Sequence, residues 1–129
     1  DVAKWYDGLT QTWQSYRAGY PSTLTTIDNT MGVWLHLTAN GGDQMLTTSL
    51  TGSIPASTSI QLYAGWNLVG CPTDTGPLAS ATLPAEADVV GVYQAASPYV
   101  NEFTDLSLVT MLDGNAYWVH VTADCLWNV

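Results

Sequence analysis

Apolar and polar residues alternate over short stretches of this chain, and that alternation predicts strands. In residues 33–38 (Val-Trp-Leu-His-Leu-Thr) and 117–122 (Tyr-Trp-Val-His-Val-Thr), aliphatic side chains fall on one face and Trp, His and Thr on the other. Further short strands are expected at residues 2–6, 12–16, 44–50, 59–63, 66–69, 89–93, 99–103 and 126–129. Turn residues separate them: Asp7-Gly8, Asn40-Gly41-Gly42-Asp43, Ala96-Ser97-Pro98 and Asp113-Gly114-Asn115. No segment carries a helical period. A single helical turn is expected at most over residues 77–83, inside a Pro/Thr/Ala-rich connector of residues 71–87. Many short strands with frequent turns predict an all-β fold, a sandwich or barrel.

The pattern also repeats. Residues 24–39 lie over residues 108–123 without a gap, at an offset of 84 (108 − 24), with Leu, Thr, Trp, His, Thr and Ala coinciding. Residues 1–6 lie over residues 88–93 at an offset of 87 (88 − 1), and the three-residue difference falls in the loop between Tyr16 and Leu24. Internal repeats decide architecture, so one all-β domain over residues 1–129 with internal pseudo-duplication is expected. Copy one covers about residues 1–50 and copy two about 88–129, with residues 51–87 as a connector carrying Gly65-Trp66-Asn67-Leu68-Val69-Gly70. Nothing after Val129 answers to that segment, so the chain reads as part of a longer array.

Charge narrows the partners. Lys4 and Arg17 are the only basic residues against 11 acids, for a net charge of −9. Nucleic-acid binding needs clustered Lys and Arg, so it is excluded as a class, and an anionic membrane surface is disfavoured for the same reason. No apolar run approaches the roughly 18 residues of a membrane span. The Thr- and Ser-rich, lysine-poor composition suits exposed strand faces and is common in secreted and cell-surface proteins. In that setting Cys71 and Cys125 favour a disulfide closing a loop of 54 residues (125 − 71), worth about 4 kcal/mol. The alternative is two independent buried thiols.

The Gly65-Trp66-Asn67-Leu68-Val69-Gly70 segment, followed by Pro72, then Asn115-Ala116-Tyr117-Trp118-Val119 and a closing Thr122-Ala123-Asp124, resembles a tandem β-repeat module. Such modules occur in secreted and cell-surface proteins of bacteria and archaea. The resemblance spans nearly the whole chain and implies an extracellular, non-catalytic module. Gly32-Val33-Trp34 and Ala116-Tyr117-Trp118 match only in part the later Gly-Tyr-Trp-aliphatic strand of such modules, and His36 and His120 are departures from it.

Candidate chemistry is sparse. His36 and His120 occupy the same repeat position and, packed about a pseudo-twofold, could join Cys71 and Cys125 as four zinc ligands. No ligand spacing supports this, and a half-buried, hydrogen-bonded pair of strand histidines is the preferred reading. Asp113-Gly114-Asn115 and Asn40-Gly41-Gly42-Asp43 offer oxygens for calcium but read as turns. No nucleophile elbow, zincin motif or phosphate loop is present, and of the carboxylates Glu86 lies in the connector and Glu102 has Ser15 as its counterpart. No enzyme activity and no cofactor are expected. The six tryptophans invite sugar stacking, yet Trp5 falls opposite Val92 and Trp13 opposite Val100, an exchange that suits a core. The expected stacking platforms are therefore the loop-proximal Tyr20, Tyr63 and Tyr99. The sequence predicts a non-catalytic structural or adhesive module whose partners are neighbouring repeats or other surface proteins. A carbohydrate-binding accessory module, with polysaccharide as ligand, is the alternative.

Overall fold

The computed structural model of the chain describes residues 2–37, 57–73 and 75–129. Among them are nine strands: β1 (Val2–Asp7), β2 (Thr12–Tyr16), β3 (Trp34–His36), β4 (Ser59–Leu62), β5 (Gly65–Gly70), β6 (Ala87–Tyr93), β7 (Val100–Phe103), β8 (Ala116–Val121) and β9 (Cys125–Asn128). The connector contains one helical turn, α1 (Ala79–Thr82), and a 3-10 turn spans Leu106–Leu108. The strand expected at residues 44–50 and the turn at Asn40-Gly41-Gly42-Asp43 lie outside the described residues. The strands form a three-stranded sheet in the order β2-β1-β3, a four-stranded sheet in the order β5-β8-β6-β7, and a β4-β9 ribbon. All pairings are antiparallel. The fold is all-β, and its sheets do not close into a barrel.

The main core follows from the alternation in β8. Tyr117, Val119 and Val121 are buried on one face, while Trp118 and His120 stay half-buried on the other. The buried face meets Ile60 and Leu62 of β4 and Trp127 of β9, with Val69, Cys71, Val90, Val109, Met111 and Ala79 filling the space between. Trp127 is 1% exposed, and its indole N–H is satisfied by Thr82 Oγ1 at 3.1 Å. A ring of that size without a partner for its N–H would be costly to bury, so α1 both covers the ribbon and completes the core.

The sequence offsets reappear as pairing registers. In the three-stranded sheet Ala3 pairs Tyr16, Lys4 pairs Ser15 and Trp5 pairs Gln14. In the four-stranded sheet Val90 pairs Phe103, Gly91 pairs Glu102 and Val92 pairs Asn101, each residue 87 further along (90 − 3, 103 − 16). On the other side, Val2, Ala3 and Lys4 pair His36, Leu35 and Trp34, as Val89, Val90 and Gly91 pair His120, Val119 and Trp118. Thus β2-β1-β3 and β7-β6-β8 are the same sheet twice. The turn before each third strand also repeats, Met31 N–H donating to Asp28 O at 3.3 Å and Asn115 N–H to Leu112 O at 3.2 Å.

The Gly-Trp-Asn segment is a strand, as expected, and it joins the second sheet: β5 pairs along all of β8, from Gly65 with Val121 to Gly70 with Ala116, and forms the fourth strand. Its motif has a local cause. Gly65, at φ 103°, adopts a conformation closed to other residues, and Asn67, 3% exposed, ties the β4–β5 turn to it. The Asn67 carboxamide accepts from Tyr63 N at 3.0 Å and donates to Tyr63 O at 2.8 Å and Gly65 O at 3.2 Å. Gly8 packs directly on this amide, where a Cβ would fall 2.1 Å from Asn67 Oδ1. Replacing Asn67 with Leu is expected to cost about 2–4 kcal/mol, because the partly buried backbone groups of Tyr63 and Gly65 lose their partner. Urea unfolding of Asn67→Leu checks this, and a loss below about 1 kcal/mol would contradict the role assigned to the amide.

Candidate functional site

The most distinctive surface lies where the two sheets face each other. On β1 the side chains of Val2, Lys4 and Tyr6 share a face, and strand pairing places Trp13, Trp34 and His36 on the same side. The equivalent face of the second sheet carries Gly91, Tyr93, Val100, Glu102, Trp118 and His120, with Trp66 added by β5. These faces meet edge to face. Tyr6 and Trp118 have ring centroids 5.1 Å apart, and Trp34 and Tyr93 4.7 Å apart. Tyr6 corresponds to Tyr93 and Trp34 to Trp118 in the two copies, so the two contacts are reciprocal, as in an isologous interface. Trp13 and Trp66 add rings against Trp118 at 5.6 and 6.2 Å. Gly91 leaves room for this, since a Cβ there would come 3.0 Å from that of Trp118.

Polar groups fasten the seam at one side. Trp5 Nε1 donates to Leu68 O at 3.0 Å, and the Gln11 amide brackets Trp66, donating to its carbonyl at 2.9 Å and accepting from its N–H at 3.2 Å. Gln11 thus acts as a one-residue extension of the β5 edge, in the place of a strand neighbour. Elsewhere the seam is open. A groove of about 740 Å³ is lined by Lys4, Trp13, Trp34, His36, Tyr93 and Trp118 among others, and a second of about 340 Å³ by Tyr6, Trp66, Val100, Glu102 and Trp118. Trp13 is 49% exposed. The two grooves offer apolar ring edges and faces with the Lys4 amine, the His36 imidazole and the Glu102 carboxylate at their margins. They can hold an apolar or sugar-like surface, and among the described residues no Ser or Cys lines either groove.

The structure corrects several sequence expectations. Trp13 is not a core residue but a wall of this cleft, which Trp34 also lines, and Trp5 serves as a hydrogen-bonding tie, whereas Trp127 lies in the main core. The exchange of Trp13 for Val100 reflects two sides of one seam. The signal available in the sequence was the retention of Trp34 and Trp118 as a pair.

Tyr20, Tyr63 and Tyr99 stand at three separate places. Tyr20 stands in the β2–β3 loop with the Arg17 guanidinium 4.3 Å from its ring centroid, and Tyr99 closes the β6–β7 turn at φ 68°. Tyr63 is half-buried beside Asn67 in a separate recess of about 260 Å³.

His36 and His120 do not meet as ligands. His120 Nδ1 lies 2.6 Å from Asp88 Oδ1, its ring 5.2 Å from that of Trp66, while His36 lines the larger groove. Among the described residues no three His, Cys, Asp or Glu side chains gather as a metal site. Asp113-Gly114-Asn115 forms a turn, as read, with Gly114 at φ 74°.

Cys71 and Cys125 are free thiols, contrary to the expected disulfide. Cys71 follows β5 at the end where Gly70 pairs Ala116, and Cys125 lies beyond the other end, where Gly65 pairs Val121. That ladder is roughly 17 Å long at 3.3–3.4 Å per residue, whereas a bridge needs Cα atoms within about 7 Å. Burial pushes both thiols above their ordinary pKa, aided at Cys125 by the Glu86 and Asp124 carboxylates. The thiolate is the reactive form, so both react slowly with alkylating reagents at neutral pH, Cys71 the slower because it is 4% exposed. Thiol titration of the denatured, unreduced protein is expected to find both thiols. Finding neither, with a mass two hydrogens lower, would contradict this placement.

No protein-family model, curated protein or solved structure matches the chain.

Proposed function

We propose that the chain is a non-catalytic structural or adhesive module of a secreted or cell-surface protein, of the tandem β-repeat kind that its Gly-Trp-Asn motif resembles. The observation that carries the reading is the reciprocal seam. Two copies of one three-stranded sheet, register for register, lie face to face through Tyr6 on Trp118 and Tyr93 on Trp34. The most distinctive residues of the chain are thereby engaged in holding repeat to repeat. Such a unit works by spacing, display or association with neighbouring repeats and other surface proteins. Its acidic surface keeps like modules soluble, and its thiols contribute as small buried hydrophobes.

A carbohydrate-binding role is the second reading, favoured by the exposed flank of Trp13 in the 740 Å³ groove. Ring geometry weighs against it. The aromatic pairs are T-shaped, with interplanar angles of 60° to 90°, so the rings pack on one another and do not lie coplanar as a floor for sugar faces. Binding to a panel of glycans and insoluble polysaccharides separates the two, with Trp13→Ala, Trp34→Ala, Tyr20→Ala, Tyr63→Ala and Tyr99→Ala as controls. The module reading expects no saturable binding. Saturable binding abolished by one of these changes would replace it with the carbohydrate reading and locate the site.

A further inference from the structure

The two copies differ in one respect that their shared registers make plain. In the second sheet the outer edge of β8 is covered by β5, whereas among the described residues no strand lies on the outer edge of β3. The face beside that edge differs in the same way. Val119 and Val121 are 0% exposed, but their counterparts Leu35 and Leu37 are 59% and 51% exposed. Phe103 packs against the main core, while its counterpart Tyr16 is 51% exposed.

The place that a strand would take beside β3 is already shaped. Four kinds of contact hold β5 in its slot: pairing with Trp118 and Val119, the indole of Trp5 on Leu68 O, the N–H of Gly32 on Leu68 O, and Thr30 O accepting from Gly70 N. Met31 adds a bridge to Val69. Shifted by the repeat offsets, these residues become Trp34, Leu35, Val92, Ala116, Gly114 and Asn115. All six line one groove of about 360 Å³ beside β3.

We infer that this groove and the outer edge of β3 form an acceptor slot for a Gly-Trp-Asn-type β-strand from a neighbouring copy of the repeat. The strand adds antiparallel to β3, its Asn opposite Leu35 and its Leu opposite Trp34, as Asn67 and Leu68 stand opposite Val119 and Trp118. Recognition is by strand addition: main-chain hydrogen bonds supply affinity, and the groove accepts alternate side chains. The partner's turn segment would also cover Leu35 and Leu37, as the β4-β9 ribbon covers Val119 and Val121. This inference deepens the module reading by naming the partner, and its test does not involve the glycan panel, so either can fail alone.

The direction of each amide is fixed by the second copy. Gly70 N–H and Leu68 O are engaged with residues 30 and 32, away from β8, so Asn67 and Val69 are the β5 residues that bond β8. Leu35, the counterpart of Val119, therefore points its N–H at the slot and not at β1. The test uses the 129-residue chain and a fluorescein-labelled peptide with the sequence of residues 59–70 (SIQLYAGWNLVG). Saturable anisotropy is expected, together with slowed amide exchange at Leu35 and Leu37. The same peptide N-methylated at its Asn and Val positions, and the unmodified peptide on Leu35→Pro, are each expected to bind about tenfold more weakly or worse, since strand hydrogen bonds are lost. The N-methylated control leaves the protein untouched, so the result does not depend on how Leu35→Pro folds. Absence of binding, or binding indifferent to N-methylation, would overturn the slot.

Discussion

Trp118 is the side chain on which the arrangement of the two sheets depends. Its backbone belongs to β8, which pairs with β5 on one side and β6 on the other, while its ring meets Tyr6 and Trp13 of the first sheet. A strand with two partners cannot slip without breaking both ladders, because a one-residue shift would turn Trp118 into the core and Val119 out of it. The register thus fixes which face carries the rings, and the rings fix how the sheets meet. Gly91 allows this by leaving the adjacent position on β6 empty of side chain.

The same faces do opposite work in the two layers. Behind β8, Tyr117, Val119 and Val121 pack on the β4-β9 ribbon as a dry core, sealed by Trp127 and α1. In front, large rings meet edge to face and leave grooves between them. Edge-to-face packing of bulky aromatics stabilises a seam without filling it, since each ring touches its neighbour along one edge. Polar ties from Trp5 and Gln11 set the position of β5 at the side of the seam, Gln11 meeting both backbone groups of Trp66 and Trp5 sharing Leu68 O with the N–H of Gly32.

Much of this was legible in the sequence because it rests on periodicity. The alternation around Trp34 and Trp118, the strand at residues 12–16 and the helical turn within residues 77–83 depend on local pattern, and the offsets of 84 and 87 carried through to paired registers. What was not legible rests on distance. Spacing alone could not reveal which strand β5 pairs with, nor that Cys71 and Cys125 stand at opposite ends of that ladder. The tryptophans misled for a related reason. An aromatic-for-aliphatic exchange such as Trp13 for Val100 marks a core only if both copies bury the site alike, and here one copy presents its face to the other across an open seam.

The central claim is that two register-identical sheets meet through reciprocal contacts, and solution NMR tests it most directly. Nuclear Overhauser effects between the rings of Trp118 and Tyr6, and between those of Trp34 and Tyr93, report contacts whose ring centroids lie 5.1 and 4.7 Å apart. The account predicts both sets, together with cross-strand effects joining Ala3 to Leu35 and Val90 to Val119. Finding the strand pairings with neither inter-sheet ring contact would contradict it, leaving two sheets of the same design that do not face each other.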